Sequence, residues 1–177
     1  MLSQKTLDAL NQQIALEEYS SAAYLSMASW CDREGLDGCA KFFYAQSEEE
    51  RMHMLKIVHY VNEMDGHALI SAVEQPPREF DSIQDLFQAV YQQEQKVTRS
   101  IYELVTITEG EKDHSTNLFL QWYVAEQREE EAQVRSILDK IKIIGTGGQS
   151  LYFIDQEIEK INQQRDQEAE AASESGA

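Results

Sequence analysis

Proline, glycine, cysteine and positive charge are all scarce in this chain. Two prolines and eight glycines interrupt 177 residues. That is too few breaks for a sheet-rich chain, and the abundance of Gln, Glu, Leu and Ala favours helix. The only cysteines, Cys31 and Cys39, are too few for a disulfide scaffold, so two free thiols in a cytoplasmic protein are expected. Lysine and arginine total 15 against 32 aspartates and glutamates, a formal net charge of −17. No basic face is available for nucleic acid or an anionic membrane, whereas cations would be attracted. No apolar run is long enough to span a bilayer. The opening MLSQKTLDAL has no basic stretch followed by an apolar one, so no signal peptide is expected.

What remains is a chain of helices, long enough for one domain with its own core. The patterning predicts four long helices: 3–34, 37–65, 82–109 and a fourth from about 114 to 144, with Gly110 to His114 as the turn before it. Ser82 with Asp85 three residues on gives a capping-box-like start. The segment from His67 to Asp81, with Pro76 and Pro77, is too long for a turn. It reads as an ordered crossover running along the bundle. Gly145, Gly147 and Gly148 end the fourth helix, and a short fifth is expected at 149–164. Residues 1–164 thus form the domain, and the Glu-, Ala- and Ser-rich residues 165–177 are expected to be a disordered acidic tail.

Inward positions of packed helices recur at steps of three and four. They are Leu7, Leu10, Ile14, Glu17, Ser21, Tyr24 and Ala28 in the first helix; Cys39, Phe43, Gln46, Glu50, His53, Ile57, Tyr60 and Met64 in the second. The third contributes Ile83, Phe87, Val90, Glu94, Val97, Ile101 and Leu104. The fourth contributes Leu120, Tyr123, Gln127, Glu130, Val134, Ile137, Ile141 and Ile144. Every seam is apolar at its ends and polar near its middle. Glu50 and His53 follow Glu17 by 33 and 36 residues, and Gln127 and Glu130 follow Glu94 by the same offsets. Acidic runs such as Glu48-Glu49-Glu50 are usually solvated helix faces, but the seam register and the duplicated offset turn Glu50 and Glu130 inward.

Four inward carboxylates with no Lys or Arg on any seam are costly to bury as anions. They are either protonated or bound to cations, and two divalent ions balance four carboxylates. Oxygen ligands with one imidazole suit Fe²⁺ or Mn²⁺ and tolerate Zn²⁺. Helical bundles hold such ion pairs with one Glu from each of two helices and a Glu-x-x-His pair from each of the others. Glu50-Arg51-Met52-His53 is one such pair, while Gln127-Arg128-Glu129-Glu130 departs from that pattern at both positions. One ion would then see Glu17, Glu50 and His53. The other would see Glu50, Glu94 and Glu130, held more loosely by oxygen alone, so metal would pass through this site.

The stretches NQQIALEEYSSAAY, EEERMHM, LFLQWYVAEQREEE and SLYFIDQEI resemble those of the prokaryotic non-haem ferritins, over residues 1 to about 164. The resemblance implies an all-α, ferritin-like four-helix bundle with a long crossover between helices 2 and 3. It further implies a hollow homo-oligomeric shell of twenty-four subunits that oxidises Fe²⁺ with O₂ or H₂O₂ and stores ferric mineral. Glu17, Glu50 and His53 would serve one iron, and Glu50, Glu94 and Glu130 the other. Gln127 would be a weak ligand or a neighbour of the ligands, and Tyr24 the tyrosine beside the centre. Glu49, Glu126 and Glu129, with Glu130, resemble a third iron site.

No haem is expected, because Arg51 stands where haem-containing relatives carry a methionine. Met52, Met54, Met64 and Trp122 read as packing residues, Trp122 being also a conceivable electron donor. A rubrerythrin-like di-iron peroxidase is the alternative, but the Cys-x-x-Cys electron-transfer module typical of that class is missing. A purely structural bundle leaves the central carboxylates without purpose. The apolar face of the fifth helix, with Leu151, Phe153, Ile154, Ile158 and Ile161, favours the larger shell over the dodecameric one of miniferritins.

Overall fold

The computed structural model describes the backbone of residues 2–145 and 147–175, with side chains to residue 171. Five helices follow in order: α1 Gln4–Glu34, α2 Asp37–Glu63, α3 Ile83–Glu111, α4 His114–Ile144 and α5 Ser150–Ser175. Ser3 caps α1 by accepting the Thr6 N–H at 3.0 Å. Gly35, at φ +73°, ends α1 in the left-handed conformation that glycine adopts without penalty. Ser82 caps α3 from the Asp85 N–H at 3.1 Å, and Asp113 caps α4 from the Thr116 N–H at 3.0 Å. The expected break at Gly110 does not occur. Helix α3 runs through it to Glu111, and Lys112 takes the left-handed turn at φ +56°.

α1 pairs with α2 and α3 pairs with α4, and α1 packs on α3 between the hairpins. The crossover runs along α1. Asn11 Nδ2 donates to the His67 carbonyl at 3.2 Å and Asn11 Oδ1 accepts from the Leu69 N–H at 2.8 Å. Farther along, Ser26 donates to the Pro77 carbonyl at 2.7 Å, and Arg33 pairs with Glu79. Phe80 meets Trp30 edge-on at 5.6 Å. Leu69, Ile70 and Val73 remain exposed. Among the described residues no helix is long and apolar enough to cross a membrane.

Two apolar clusters fill the bundle. One gathers Tyr24, Phe42, Phe43, Phe87, Ile137 and Ile141 with Ile154 and Ile158 of α5. The other gathers Leu10, Ile14, Ile57, Val97, Ile101, Leu104 and Leu120. The seams are buried throughout, except that Leu7, Ser21, Tyr60, Met64 and Ile144 are half-buried. Met54 is buried, whereas Met52 is exposed and packs against nothing in the core, contrary to expectation.

The fifth helix is longer than the sequence suggested. It continues past Gln164 to Ser175, where a disordered tail was expected; Gly176 and Ala177 lie outside the described residues. The low apolar content of this stretch suggests disorder, but its Ala, Glu and Gln are strong helix formers with no break to stop them. An ion pair from Lys41 to Asp166 at 2.9 Å fastens the continuation to α2.

The start of α5 is locked to the start of α2. Leu36 gives α2 no side-chain cap. Asp155 of α5 does so instead, its Oδ1 accepting the Cys39 N–H at 2.8 Å. A Cβ on Gly38 would lie 2.5 Å from the Asp155 backbone oxygen, so the helices can approach this closely only at a glycine. Gly38→Ala should therefore destabilise the fold by about 1–3 kcal/mol in urea unfolding, the range for overpacked sites. Asp155→Ala should cost about 1 kcal/mol as a lost cap. Unchanged unfolding midpoints in both variants would show that α5 does not dock here.

Candidate metal centre

The polar layer between the two apolar clusters is built from all four bundle helices. Glu17, Glu50 and Glu94 are each 1% exposed and Glu130 is 7% exposed. Oxygens of Glu17 and Glu50 and a ring nitrogen of His53 all lie within 4.8 Å of one another. His53 Nδ1 is 3.6 Å from Glu50 Oε2. Among the described residues no Lys or Arg pairs with these four carboxylates. Both Glu50 oxygens and Glu17 Oε2 are buried without a hydrogen-bond partner. Carboxylate oxygens that meet no donor in the protein, gathered beside an imidazole nitrogen, are ligand types that a divalent cation such as Fe²⁺ accepts.

Four of the other oxygens are oriented by neutral neighbours. Gln13 donates to Glu17 at 2.7 Å, and Gln46 donates to Glu130 at 3.0 Å. Gln127 donates to Glu94 at 3.0 Å, and the Tyr24 hydroxyl donates to the other Glu94 oxygen. Tyr123 fixes the backbone at His53, its hydroxyl donating to that carbonyl at 2.8 Å. Glu94 and Glu130 are thus held toward their donors and stand outside the tight triad of Glu17, Glu50 and His53.

Burial is the main reason why the Glu17, Glu50 and Glu130 carboxyls are pushed well above the usual carboxylate range. The Glu50 charge adds to the rise at Glu17, and the Glu94 charge adds to it at Glu50 and Glu130. Glu94 is raised too, again by burial, against the lowering effect of the Tyr24 and Gln127 hydrogen bonds. Burial beside Glu94 raises the Tyr24 hydroxyl as well.

A second group lies just outside. Carboxylate oxygens of half-buried Glu49 and Glu126 and a ring nitrogen of His53 are also within 4.8 Å of one another. The expected third site drew on Glu49, Glu126, Glu129 and Glu130; the structure gathers Glu49 and Glu126 with His53, while Glu129 is exposed. Glu129 does line a cavity of about 330 Å³, with Gln46, Glu49, Glu126, Glu130 and Gln133 on one side and Gln164, Arg165 and Glu168 of α5 on the other. A larger cavity, about 450 Å³, lies at the far end between Trp30, Phe80 and Leu151, away from the carboxylates. Trp122 is 38% exposed, its ring meeting His53 edge-on at 5.3 Å under the Lys56 ammonium.

Sequence reasoning assigned no role to Gln13, Gln46 or Arg165. Gln13 lies off the seam, but its spacing of four from Glu17 was a usable signal. Gln46 was on the seam without a recognised partner. Arg165 lay in the supposed tail and gave no signal.

The raised carboxyls fix the pH dependence of the cation-free protein. Their folded pKa values exceed the unfolded value, so the folded state binds more protons. The stability they contribute is complete below about pH 4.3, the unfolded glutamate value, and is lost as pH rises through the folded values. Urea unfolding should therefore show lower stability at about pH 8 than at about pH 5. Glu17→Gln should flatten that loss by on the order of 1–2 kcal/mol, and Zn²⁺ should restore wild-type stability at the higher pH. Equal slopes in the two proteins would contradict the assignment.

The Ferritin-like domain family matches residues 7–144. A bacterial non-haem ferritin of Campylobacter jejuni is 47% identical over 161 residues, covering 91% of this chain and 96% of its own. One from Escherichia coli is 39% identical over 164 residues, covering 93% and 99%. Among solved structures, an open-pore ferritin of the hyperthermophilic archaeon Archaeoglobus fulgidus superposes with a TM-score of 0.87 at 45% identity, over 90% of this chain and 98% of that one. With the bundle, the crossover and the central carboxylates already in place, these matches make the chain a member of the ferritin-like family, alongside the non-haem ferritins.

Proposed function

We propose that this protein stores iron and acts as a ferroxidase, with Fe²⁺ as both substrate and cargo. The observation that carries this reading is the unpartnered oxygens of Glu17 and Glu50, buried beside His53 with no Lys or Arg paired to them among the described residues. One Fe²⁺ would be held by Glu17, Glu50 and His53, and a second by Glu50, Glu94 and Glu130, with Gln127 and Tyr24 orienting Glu94. Each ion gives up one electron to O₂ or H₂O₂, and hydrolysis of the ferric product to oxyhydroxide releases protons to water.

The chain's own residues hold the ions, exclude bulk water and orient the ligands. Because Glu94 and Glu130 stand apart from the tight triad, the second ion is the more weakly held. That suits a site through which iron passes. Glu49, Glu126 and Glu129 would take up or supply iron on the cavity side of Glu130. The apolar start of α5, with Leu151, Tyr152 and Phe153 all exposed, supports assembly into a homo-oligomeric shell, which we take to be twenty-four subunits. The cytoplasm is the compartment that free, buried Cys31 and Cys39 fit.

Glu50 is shared by both ions, so Glu50→Ala is the decisive variant. Fe²⁺ oxidation followed optically under air should lose its fast phase, slowing by about 10- to 100-fold, as expected when metal affinity collapses. Helical content and elution as a large assembly should be unchanged. A fast phase of wild-type rate would exclude the assigned centre.

A further inference from the structure

Arg165 stands in the wall of the acidic cavity, opposite Glu130. Between them lies Gln46, only 4% exposed. Gln46 Nε2 donates to Glu130 Oε2 at 3.0 Å. A buried amide that donates on one side presents its oxygen on the other, and that oxygen needs a donor. Arg165 Nη1 supplies it, 3.5 Å from Gln46 Oε1. Arg165 Nη2 reaches Asn162 Oδ1 at 3.4 Å. Asn162, fully buried, donates in turn to the Gly38 carbonyl at 2.9 Å.

Arginine is the double donor at the middle of this path. Its guanidinium carries only donors and no acceptor. The Gln46 amide therefore cannot turn over without setting its NH₂ group against a guanidinium. Its oxygen is held outward and its NH₂ inward, toward Glu130. The anchor at the other end is the seam where α5 docks on the first turn of α2 at Gly38, so the placement of the guanidinium follows from the fold.

We propose that Arg165 is a positioning residue for Glu130, acting through Gln46, so that the far half of α5 belongs to the site of the second ion. This rests on the reading of the bundle centre as a two-cation site. The guanidinium has two effects of opposite sign. As a charge in the cavity it disfavours a nearby cation, whereas as an orienting donor it favours ligation by Glu130. Orientation prevails over the charge.

Zn²⁺ binding to the cation-free protein, measured by titration calorimetry, tests the sign. Wild-type protein should take up two tight equivalents per chain. Arg165→Ala should weaken the second by about tenfold, as removal of a ligand's hydrogen-bonding partner does, and leave the first within about twofold. Arg165→Lys, which still donates and cannot accept, should recover most of the loss. Gln46→Ala should reproduce the weakening, and the double variant should add nothing further. A second equivalent that is unchanged or tighter in Arg165→Ala would overturn the proposal, as would equal weakening of both equivalents. Absence of tight zinc in the wild-type protein would defeat the two-cation reading itself, and this inference with it.

Discussion

Four glutamates from four helices share a deeply buried layer, with no lysine or arginine among the described residues paired to any of them. Burying one unpaired carboxylate costs at least several kcal/mol, and neighbours of the same charge add to that. The cost is accepted at the middle of the bundle and nowhere else along the seams, whose remaining length is almost wholly apolar. The two apolar clusters on either side hold the helices at the spacing that keeps the glutamates together. The result is a site prestrained electrostatically, which protons relieve at low pH and which, on the proposed reading, divalent cations would relieve near neutrality.

The surrounding hydrogen bonds show how that strain is directed. Both oxygens of Glu94 are claimed by Tyr24 and Gln127, and one of Glu130 by Gln46, while both oxygens of Glu50 are left open. On the proposed reading Glu50 would bridge the two ions, with Glu94 and Glu130 set beside it by their neutral partners. His53 stands at the junction, within reach both of the inner carboxylates and of Glu49 and Glu126. The acidic cavity beyond is lined by Gln164, Arg165 and Glu168 of α5, whose first turn leaves Leu151, Tyr152 and Phe153 exposed.

Much of this was legible in the residue order. The steps of three and four place Leu10, Ile14, Glu17 and Tyr24 on one face, and the matched offsets from Glu17 and Glu94 mark the polar layer. Periodicity reports what is buried, and that signal is strong in long amphipathic helices. It says nothing of which neighbour a buried amide selects, so Gln13 and Gln46 gained their roles only once the helices were packed together. Gly110 misled because a glycine inside an exposed helical turn is tolerated at a modest cost, while Lys112 made the turn. The continuation of α5 was hidden because residues 165–171 bury little apolar surface. Their order comes from helix propensity and from contacts with α2, such as Lys41 to Asp166, that sequence alone does not display.

The central claim is that the buried carboxylates are tolerated because paired cations occupy them. It is tested most directly by anomalous diffraction from crystals soaked in ferrous salt without oxygen. Two iron peaks should lie within each bundle, one among Glu17, Glu50 and His53 and one among Glu50, Glu94 and Glu130, with Glu50 contacting both. An empty bundle centre, with those side chains turned out to solvent, would contradict the account.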